Sequence, residues 1–315
     1  DVVLGDYGTA TYAGEFIERV TTRQWNESTE VEETVALGEA DVINAGEGAD
    51  VIFGGGGRDI LDGEGGTNTI FGDFGFANFA VPTGGSVALV ALAATSDEGV
   101  GDVDDIEGSG GADDRNLVFG GAGADTIDLL GSLDVVLGDY GTAIYAGEFI
   151  ERVTTRQWNE STLQEDVVIA GDSDIINSGE GADVIFGGGG GDILDGEGGT
   201  NTIFGDFGFA NFAVPTDGGV ALVSRAATSD VGEGAVDDID GSGGADDRNL
   251  VFGGAGADEI DLLGSLDVVL GDYGTATYAG EFIERVTTRQ WNENTEQEET
   301  VAFGEADVIN AGEGA

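Results

Sequence analysis

Aspartate returns in this chain at nine-residue steps, each time after a glycine-rich stretch and just before a short aliphatic run. Asp41, Asp50 and Asp59 lead to Asn68, and Asn116 leads to Asp125 and Asp134. The series recurs as Asp174, Asp183, Asp192, Asn201, Asn249, Asp258 and Asp267, and begins again at Asp307. If two nonapeptides close one coil of a solenoid, residues eighteen apart stack at the strand spacing of ~4.8 Å. Asp41 then lies over Asp59 on one edge, Asp50 over Asn68 on the other, and Asn116 over Asp134 with Asp125 opposite. Carboxylates held that close repel unless a cation sits between them. A lone Asp in a glycine loop is usually an Asx-turn cap; stacked pairs in an acidic chain reverse that preference. The chemistry expected is cation binding by oxygen.

The chain has no His and no Cys, which disfavours zinc and copper. Carboxylates, together with turn carbonyls that glycine leaves accessible, make an all-oxygen shell of about six to eight ligands, which suits Ca²⁺ better than the stricter Mg²⁺ octahedron. Asn68 and Asn116 are weaker ligands, and Ala77 and Ala143 fall at the ligand position where two inserts begin, so no ion is expected there. Asp6, Asp73, Asp139, Asp206 and Asp272, each in Gly-Asp-aromatic-Gly, are open between ligand and turn residue.

The charge balance agrees. Against 63 acidic residues stand 10 basic ones, all Arg, for a formal charge of −53. Nucleic acid and anionic membrane surfaces would be repelled, and no apolar run is long enough to span a bilayer. Without Cys there is no disulfide framework. Acid–base and nucleophilic catalysis that needs His or Cys is excluded, and no enzyme is expected.

The elements that position these residues follow from the repeat. Gly at positions one, two and four supplies the backbone freedom a sharp turn requires. The last three residues form a short strand whose middle member faces inward: Ile43, Ile52, Leu61, Ile70, Val118, Ile127 and Val136. Position nine alternates between an apolar row (Phe53, Phe71, Phe119, Leu137, and again Phe186, Phe204, Phe252, Leu270) and polar Asn44, Asp62 and Asp128. An outward apolar row marks a covered surface; either hairpins fold over it or it is an interface with a neighbouring molecule. Hairpins are expected after each Gly-Asp-aromatic-Gly: Thr9–Tyr12 with Phe16–Thr22, and Phe76–Val81 with Val87–Ala93 about a turn at Pro82–Gly85. Nonapeptides are counted through 36–80 and 102–146, with inserts at 81–101 and 147–168. If each insert replaces one half-coil, the apolar row stays on one sheet and a unit has about six coils with roughly 29 Å of rise; if it adds none, the row changes faces every half-unit, and the first reading is the one favoured.

The unit is 133 residues long. Asp1-Val2-Val3-Leu4-Gly5-Asp6-Tyr7-Gly8 recurs at Asp134 and Asp267, and about 110 of 133 positions agree between the first two copies. Such self-similarity marks a solenoid or array. The reading is three segments, 1–133, 134–266 and a partial 267–315, cut from a longer tandem array. The GGxGxDx[IL]x pattern at 54–62 and 120–128 resembles the calcium-binding repeat of the repeats-in-toxin (RTX) family. The wider arrangement is similar to the very long RTX-type surface proteins of aquatic bacteria. That resemblance implies a right-handed parallel β-roll, type I secretion from a Gram-negative bacterium, an extracellular or cell-surface location, and folding triggered by calcium.

The fold class expected is all-β, a parallel β-roll or β-solenoid with inserted hairpins. The function expected is structural: a calcium-stabilised section of a secreted fibre, stalk or coat, with self-association among copies. The alternative is an adhesin arm that binds a surface glycan through the Arg19, Arg23 and Trp25 cluster, repeated at Arg152, Arg156 and Trp158 and at Trp291. Pairing of those arginines within the chain is the plainer expectation.

Overall fold

The computed structural model describes residues 1–35, 37–80, 88–108, 111, 114–131, 133–215, 221–230, 232–241, 247–263, 267–280, 282–293, 295–301 and 304–310. The turn expected at Pro82–Gly85 lies outside the described residues. Among the described residues the chain is all β, and no helix is long and apolar enough to cross a membrane.

Two parallel sheets form the roll. The first runs Val2–Leu4, Val51–Phe53, Thr67–Phe71, Arg115–Phe119, Val135–Leu137, Val184–Phe186, Thr202–Phe204, Leu250–Phe252 and Val268–Leu270. The second runs Val42–Asn44, Ile60–Asp62, Asp105–Gly108, Thr126–Leu129, Ile175–Asn177, Ile193–Asp195, Asp238–Gly241, Glu259–Leu262 and Val308–Asn310. Each coil contributes one strand to each, and equivalent residues pair directly, as in Ile52↔Ile70↔Val118↔Val136. The central aliphatics of both sheets meet in one buried column that includes Ile43, Ile52, Leu61, Ile70, Ile106, Val118, Ile127 and Val136.

The two sheets differ in their outer faces. In the second, the residues flanking the buried centre are polar or solvent-facing. In the first, Phe53, Phe71, Phe119, Phe186, Phe204 and Phe252 are fully buried, and Leu137 and Leu270 nearly so. A ten-stranded antiparallel sheet covers them, assembled from five strand pairs: Thr9–Ala13 with Phe16–Thr21, Gly75–Ala80 with Leu89–Thr95, and their counterparts along the chain. Its inward residues are small, notably Ala77, Ala93, Ala143, Ala210, Ala226 and Ala276, so the rings seat against a flat surface. Phe53, Phe71 and Phe119 stack with ring centroids 4.5 and 4.9 Å apart, following the strand spacing. Of the two coverings considered from sequence, it is the chain's own hairpin sheet that lies here, so the eight residues are interior rather than a surface for a second molecule.

This arrangement corrects the coil count. The stretches 72–80 and 138–146 are not half-coils: they hold the first hairpin strands, Gly75–Ala80 and Thr142–Ala146, and Ala77 and Ala143 point into the layer between sheets. Each insert leaves the end of a first-sheet strand and returns to the start of a second-sheet strand, so it takes the place of a turn and adds no coil. From Val2–Leu4 to Val135–Leu137 the first sheet steps through four strands, which gives roughly 19 Å of rise per unit instead of 29 Å.

Candidate metal centre

The roll has two edges. On the hairpin edge, the chain passes from the first sheet to the second, alternately through a glycine turn such as 54–59 and through a hairpin insert. In the 54–59 turn, Gly55 and Gly57 hold φ of 108° and 106°, a region closed to most side chains. On the plain edge the chain returns from the second sheet to the first with no inserted strand among the described residues.

Along the hairpin edge runs an unbroken line of aspartates. The Asp41 N–H donates to Asp59 Oδ1 at 2.8 Å, Asp59 to Asp104 at 2.8 Å, Asp104 to Asp125 at 2.8 Å and Asp125 to Asp174 at 2.8 Å. The line continues from Asp174 to Asp192 and Asp192 to Asp237 at 2.9 Å, Asp237 to Asp258 at 3.0 Å and Asp258 to Asp307 at 3.3 Å. One oxygen of each carboxylate is thus fixed by the amide of the preceding rung. The other oxygen, Oδ2, is buried without a hydrogen-bond partner at Asp59, Asp104, Asp125, Asp174, Asp192, Asp237 and Asp258.

Burying such atoms unpaired is costly. Burial first, and the neighbouring carboxylates after it, push Asp104 and Asp125 up to about 8 and Asp237 up to about 10. Burial pushes Asp59 and Asp192 up to about 7. In the absence of a cation, these groups keep protons that an ordinary carboxylate would have lost. A line of orphaned anionic oxygens with nitrogen and sulfur ligands absent fits a hard divalent cation, and the donor set fits calcium. Among the described residues no three acidic side chains converge on one point, so an ion here would be shared between one or two of these carboxylates and main-chain carbonyls.

The plain edge carries Asp50, Asn68, Asn116, Asp134, Asp183, Asn201, Asn249 and Asp267. Its rungs connect in the same way: Asp50 N–H to Asn68 Oδ1 at 3.1 Å, Asn116 to Asp134 at 2.6 Å, Asp134 to Asp183 at 2.8 Å, Asp183 to Asn201 at 3.0 Å. The amides add bonds of their own, with Asn68 Nδ2 donating to Gly63 O and Asn116 Oδ1, both at 3.1 Å. Orphaned Oδ2 atoms remain at Asp50, Asp134 and Asp267. The stacked pairs expected from sequence, Asp41 over Asp59, Asp50 over Asn68 and Asn116 over Asp134, are therefore in contact.

Two rungs went unseen in the sequence, Asp104 and Asp237. Strict nine-residue counting places Glu107 at that position, because the register restarts after the insert. The usable signal was local: Asp104-Asp105-Ile106 repeats the Asp-x-aliphatic approach of Asp59-Ile60-Leu61 to its strand. With these rungs in place the line does not lapse at the inserts, contrary to the expectation drawn from Ala77 and Ala143.

In the Arg/Trp clusters, Trp25 and Trp158 sit on two-stranded ribbons, Gln24–Asn26 with Val31–Glu33 and Gln157–Asn159 with Gln164–Asp166, while Arg19 and Arg152 lie on strands Phe16–Thr21 and Phe149–Thr154 of the covering sheet and Arg23 and Arg156 between the two. Their cations are engaged inside the chain. Arg19 pairs with Glu32 at 2.8 Å and, across the repeat, with Glu160 at 3.0 Å; Arg23 pairs with Asp97 at 3.1 Å. Arg152 pairs with Glu165 at 3.0 Å and Glu293 at 2.7 Å. The Arg225 guanidinium lies 3.8 Å over the Trp291 ring.

Two 40-residue stretches, 36–75 and 169–208, match the sequence profile of the RTX calcium-binding nonapeptide repeat, which spans four copies. They contain Asp41, Asp50, Asp59, Asn68 and Asp73, and their equivalents Asp174, Asp183, Asp192, Asn201 and Asp206. No curated protein and no solved structure matches the chain.

Proposed function

We propose, from the premise that this chain carries RTX calcium-binding nonapeptide repeats, that it is a calcium-stabilised structural segment of a secreted protein, working as a section of an extracellular fibre, stalk or coat. RTX nonapeptide repeats bind Ca²⁺, and the all-β parallel architecture agrees with them. The observation that carries the reading is the hairpin-edge line, whose orphaned carboxylate oxygens recur on every coil and pass from one 133-residue copy to the next without a gap. Every rung is alike and none is singled out, as a spacer requires and as a specific binding site does not. Segments 1–133, 134–266 and 267–315 act as successive building units, with stability close to a sum over units and their contacts. RTX repeat proteins are typically exported by type I secretion from Gram-negative bacteria, which favours an extracellular or surface location.

Calcium would be held by the Oδ2 atoms of Asp59, Asp104, Asp125, Asp174, Asp192, Asp237 and Asp258, with Asp41 and Asp307 at the limits of the line, and on the plain edge by Asp50, Asp134, Asp183 and Asp267. The ion supplies positive charge that lets these carboxylates ionise together. The protein supplies spacing, through the N–H to Oδ1 ladder, and a dry surrounding that strengthens the attraction. The adhesin reading draws no support from the arginines of the Arg/Trp clusters, which are paired with Glu32, Asp97, Glu160, Glu165, Asp230 and Glu293.

The test is far-UV circular dichroism of the chain after chelation, during titration with CaCl₂ and, separately, MgCl₂. A cooperative coil-to-β transition specific for calcium is expected. A β spectrum indifferent to chelator would reduce the aspartates to turn caps and overturn the reading.

A further inference from the structure

Five Gly-Asp-aromatic-Gly segments stand at the roots of the inserts, at 5–8, 72–75, 138–141, 205–208 and 271–274. Their aspartates are not rungs of the ladder. Asp73 accepts the Asp102 N–H on Oδ1 at 3.2 Å and the Ala122 N–H on Oδ2 at 2.7 Å. Asp139 accepts Asp172 N–H on Oδ1 at 3.1 Å and Gly189 N–H on Oδ2 at 2.6 Å. Asp206 takes Ala235 N–H at 3.1 Å and also Ala255 N–H, and Asp6 takes Gly56 N–H at 2.9 Å and Glu39 N–H at 3.4 Å. Asp272 accepts Glu305 N–H at 2.9 Å.

The donors follow one rule. The Oδ1 partner lies two residues before the rung at which an insert rejoins the roll: Glu39 before Asp41, Asp102 before Asp104, Asp172 before Asp174, Ala235 before Asp237 and Glu305 before Asp307. The Oδ2 partner lies three residues before the rung of the adjoining glycine turn: Gly56 before Asp59, Ala122 before Asp125, Gly189 before Asp192 and Ala255 before Asp258. One carboxylate therefore holds two consecutive rungs. Glycines close on it from both sides. A Cβ at Gly121 would come within 2.6 Å of Asp73 Oδ2 and one at Gly55 within 2.9 Å of Asp6 Oδ2, while Cβ atoms at Gly101, Gly171 and Gly234 would collide with the carboxylates of Asp73, Asp139 and Asp206. The adjacent aromatic grips in the opposite direction: Gly99 N–H donates to Tyr140 Oη at 2.7 Å, and Gly232 N–H to Tyr273 Oη at 2.7 Å, each from the preceding insert.

We propose that the aspartate of each Gly-Asp-aromatic-Gly segment is a positioning residue for calcium: it ties the insert's return and the next glycine turn together, sets the separation of two successive rungs, and does not itself take the ion. The inference rests on the calcium reading above. It assigns the hairpin inserts a part in metal binding, because the same four residues that launch a hairpin also align the carboxylates beside it.

The experiment uses the full chain with Asp139→Asn, which keeps the size but presents an amide N–H to one of the two main-chain donors. Calcium stoichiometry and midpoint are measured by calorimetric titration with CaCl₂, and amide hydrogen exchange is followed at Asp172 and Gly189. The expected result is an unchanged number of ions, a midpoint for the Asp174 and Asp192 region raised roughly tenfold or more, and faster exchange at both amides. Gly171→Ala, whose Cβ would displace the unaltered carboxylate and also crowd Gly189 Cα at 2.7 Å, should raise the midpoint and the exchange at Asp172 in the same way with the ion count unchanged. Loss of an ion with both amides still protected would make Asp139 a ligand and overturn the proposal, as would a midpoint and exchange identical to the unaltered chain. Failure of the unaltered chain to bind calcium would instead overturn the calcium reading itself.

Discussion

The two edges of the roll share one backbone pattern and carry different chemistry. On both, the main-chain N–H of one rung donates to a side-chain oxygen of the next, except at Asn68, whose side-chain Nδ2 makes the link to Asn116. On the hairpin edge the rungs are carboxylates throughout, from Asp41 to Asp307. On the plain edge half of them are amides, and Asn68 and Asn201 turn their Nδ2 groups to Gly63 O and Gly196 O. An amide can both donate and accept, so it satisfies itself inside a ladder, whereas a carboxylate can only accept. A stacked Asn whose amide finds a partner, as at Asn68 and Asn201, therefore costs little when buried, although Asn249 Nδ2 is left without one; a stacked Asp needs a cation or a proton. On the calcium reading proposed above, dependence on the ion would fall mainly on the edge that also launches the hairpins.

The sharpest way to break this comparison is to vary pH in the presence of chelator. On the hairpin edge, burial pushes Asp59 and Asp192 up to about 7 and Asp104 and Asp125 up to about 8, well above the ordinary value near 3.8. The folded chain thus binds more protons than the unfolded one between those limits, and its stability falls as pH rises through that window. Metal-free chain should show β structure near pH 4 and lose it by about pH 8, while calcium-loaded chain keeps it at pH 8. Circular dichroism across the range decides; a chelated chain equally folded at both ends would mean the carboxylates impose no such demand.

A smaller but more local effect is expected from paired substitutions. Asp104→Asn with Asp125→Asn removes two adjacent charges from the hairpin edge and should cost at least one bound ion by titration. Asn68→Ala with Asn116→Ala on the plain edge should leave the ion count intact and lower denaturant stability by about 2 to 4 kcal/mol, the cost of breaking two or more buried hydrogen bonds. Equal loss of ions from both would erase the distinction.

Two glycines give a finer contrast. A Cβ at Gly120 would meet Asp125 Oδ2 at 2.6 Å and crowd Gly138 O, while one at Gly63 would meet Asn68 Nδ2 at 2.8 Å and Ile70 Cδ1 at 3.1 Å. Gly120→Ala should raise the calcium midpoint, and Gly63→Ala should cost about 1 to 3 kcal/mol of packing with the midpoint unmoved. The least effect belongs to Asn116→Asp, which places a new charge beside Asp134. Its stability should fall slightly in chelator and recover in calcium, and thermal melts in the two buffers would show whether it does.

Much of this was legible in the sequence, and the exceptions have a physical cause. The aliphatic column from Ile43 to Val136 and the stacked pairs followed from period alone, because the roll repeats them without interruption. The apolar row from Phe53 to Leu270 was visible too, and the expectation that something covers it came from burial logic. Coil number was misread because Phe76 and Phe79 resemble the aliphatic end of a nonapeptide, although Gly75 is there to let the hairpin root pass over the Phe71 ring, only 2.6 Å from where a Cβ would stand. Asp104 and Asp237 were missed because inserts do not conserve a nine-residue count. The clamp made by Asp73 or Asp139 could not be read at all, since its partners lie 29 to 50 positions away.

The inserts occupy turns and lengthen no coil, and this has a mechanical corollary. A 133-residue unit advances about 19 Å when folded, yet the same residues drawn straight would reach roughly 440 Å. Each unit is in effect a spool, holding more than twenty times its own length in reserve. If calcium holds the coils as proposed, withdrawing it would free the winding, and ion concentration would govern the reach of such a chain as well as its stiffness.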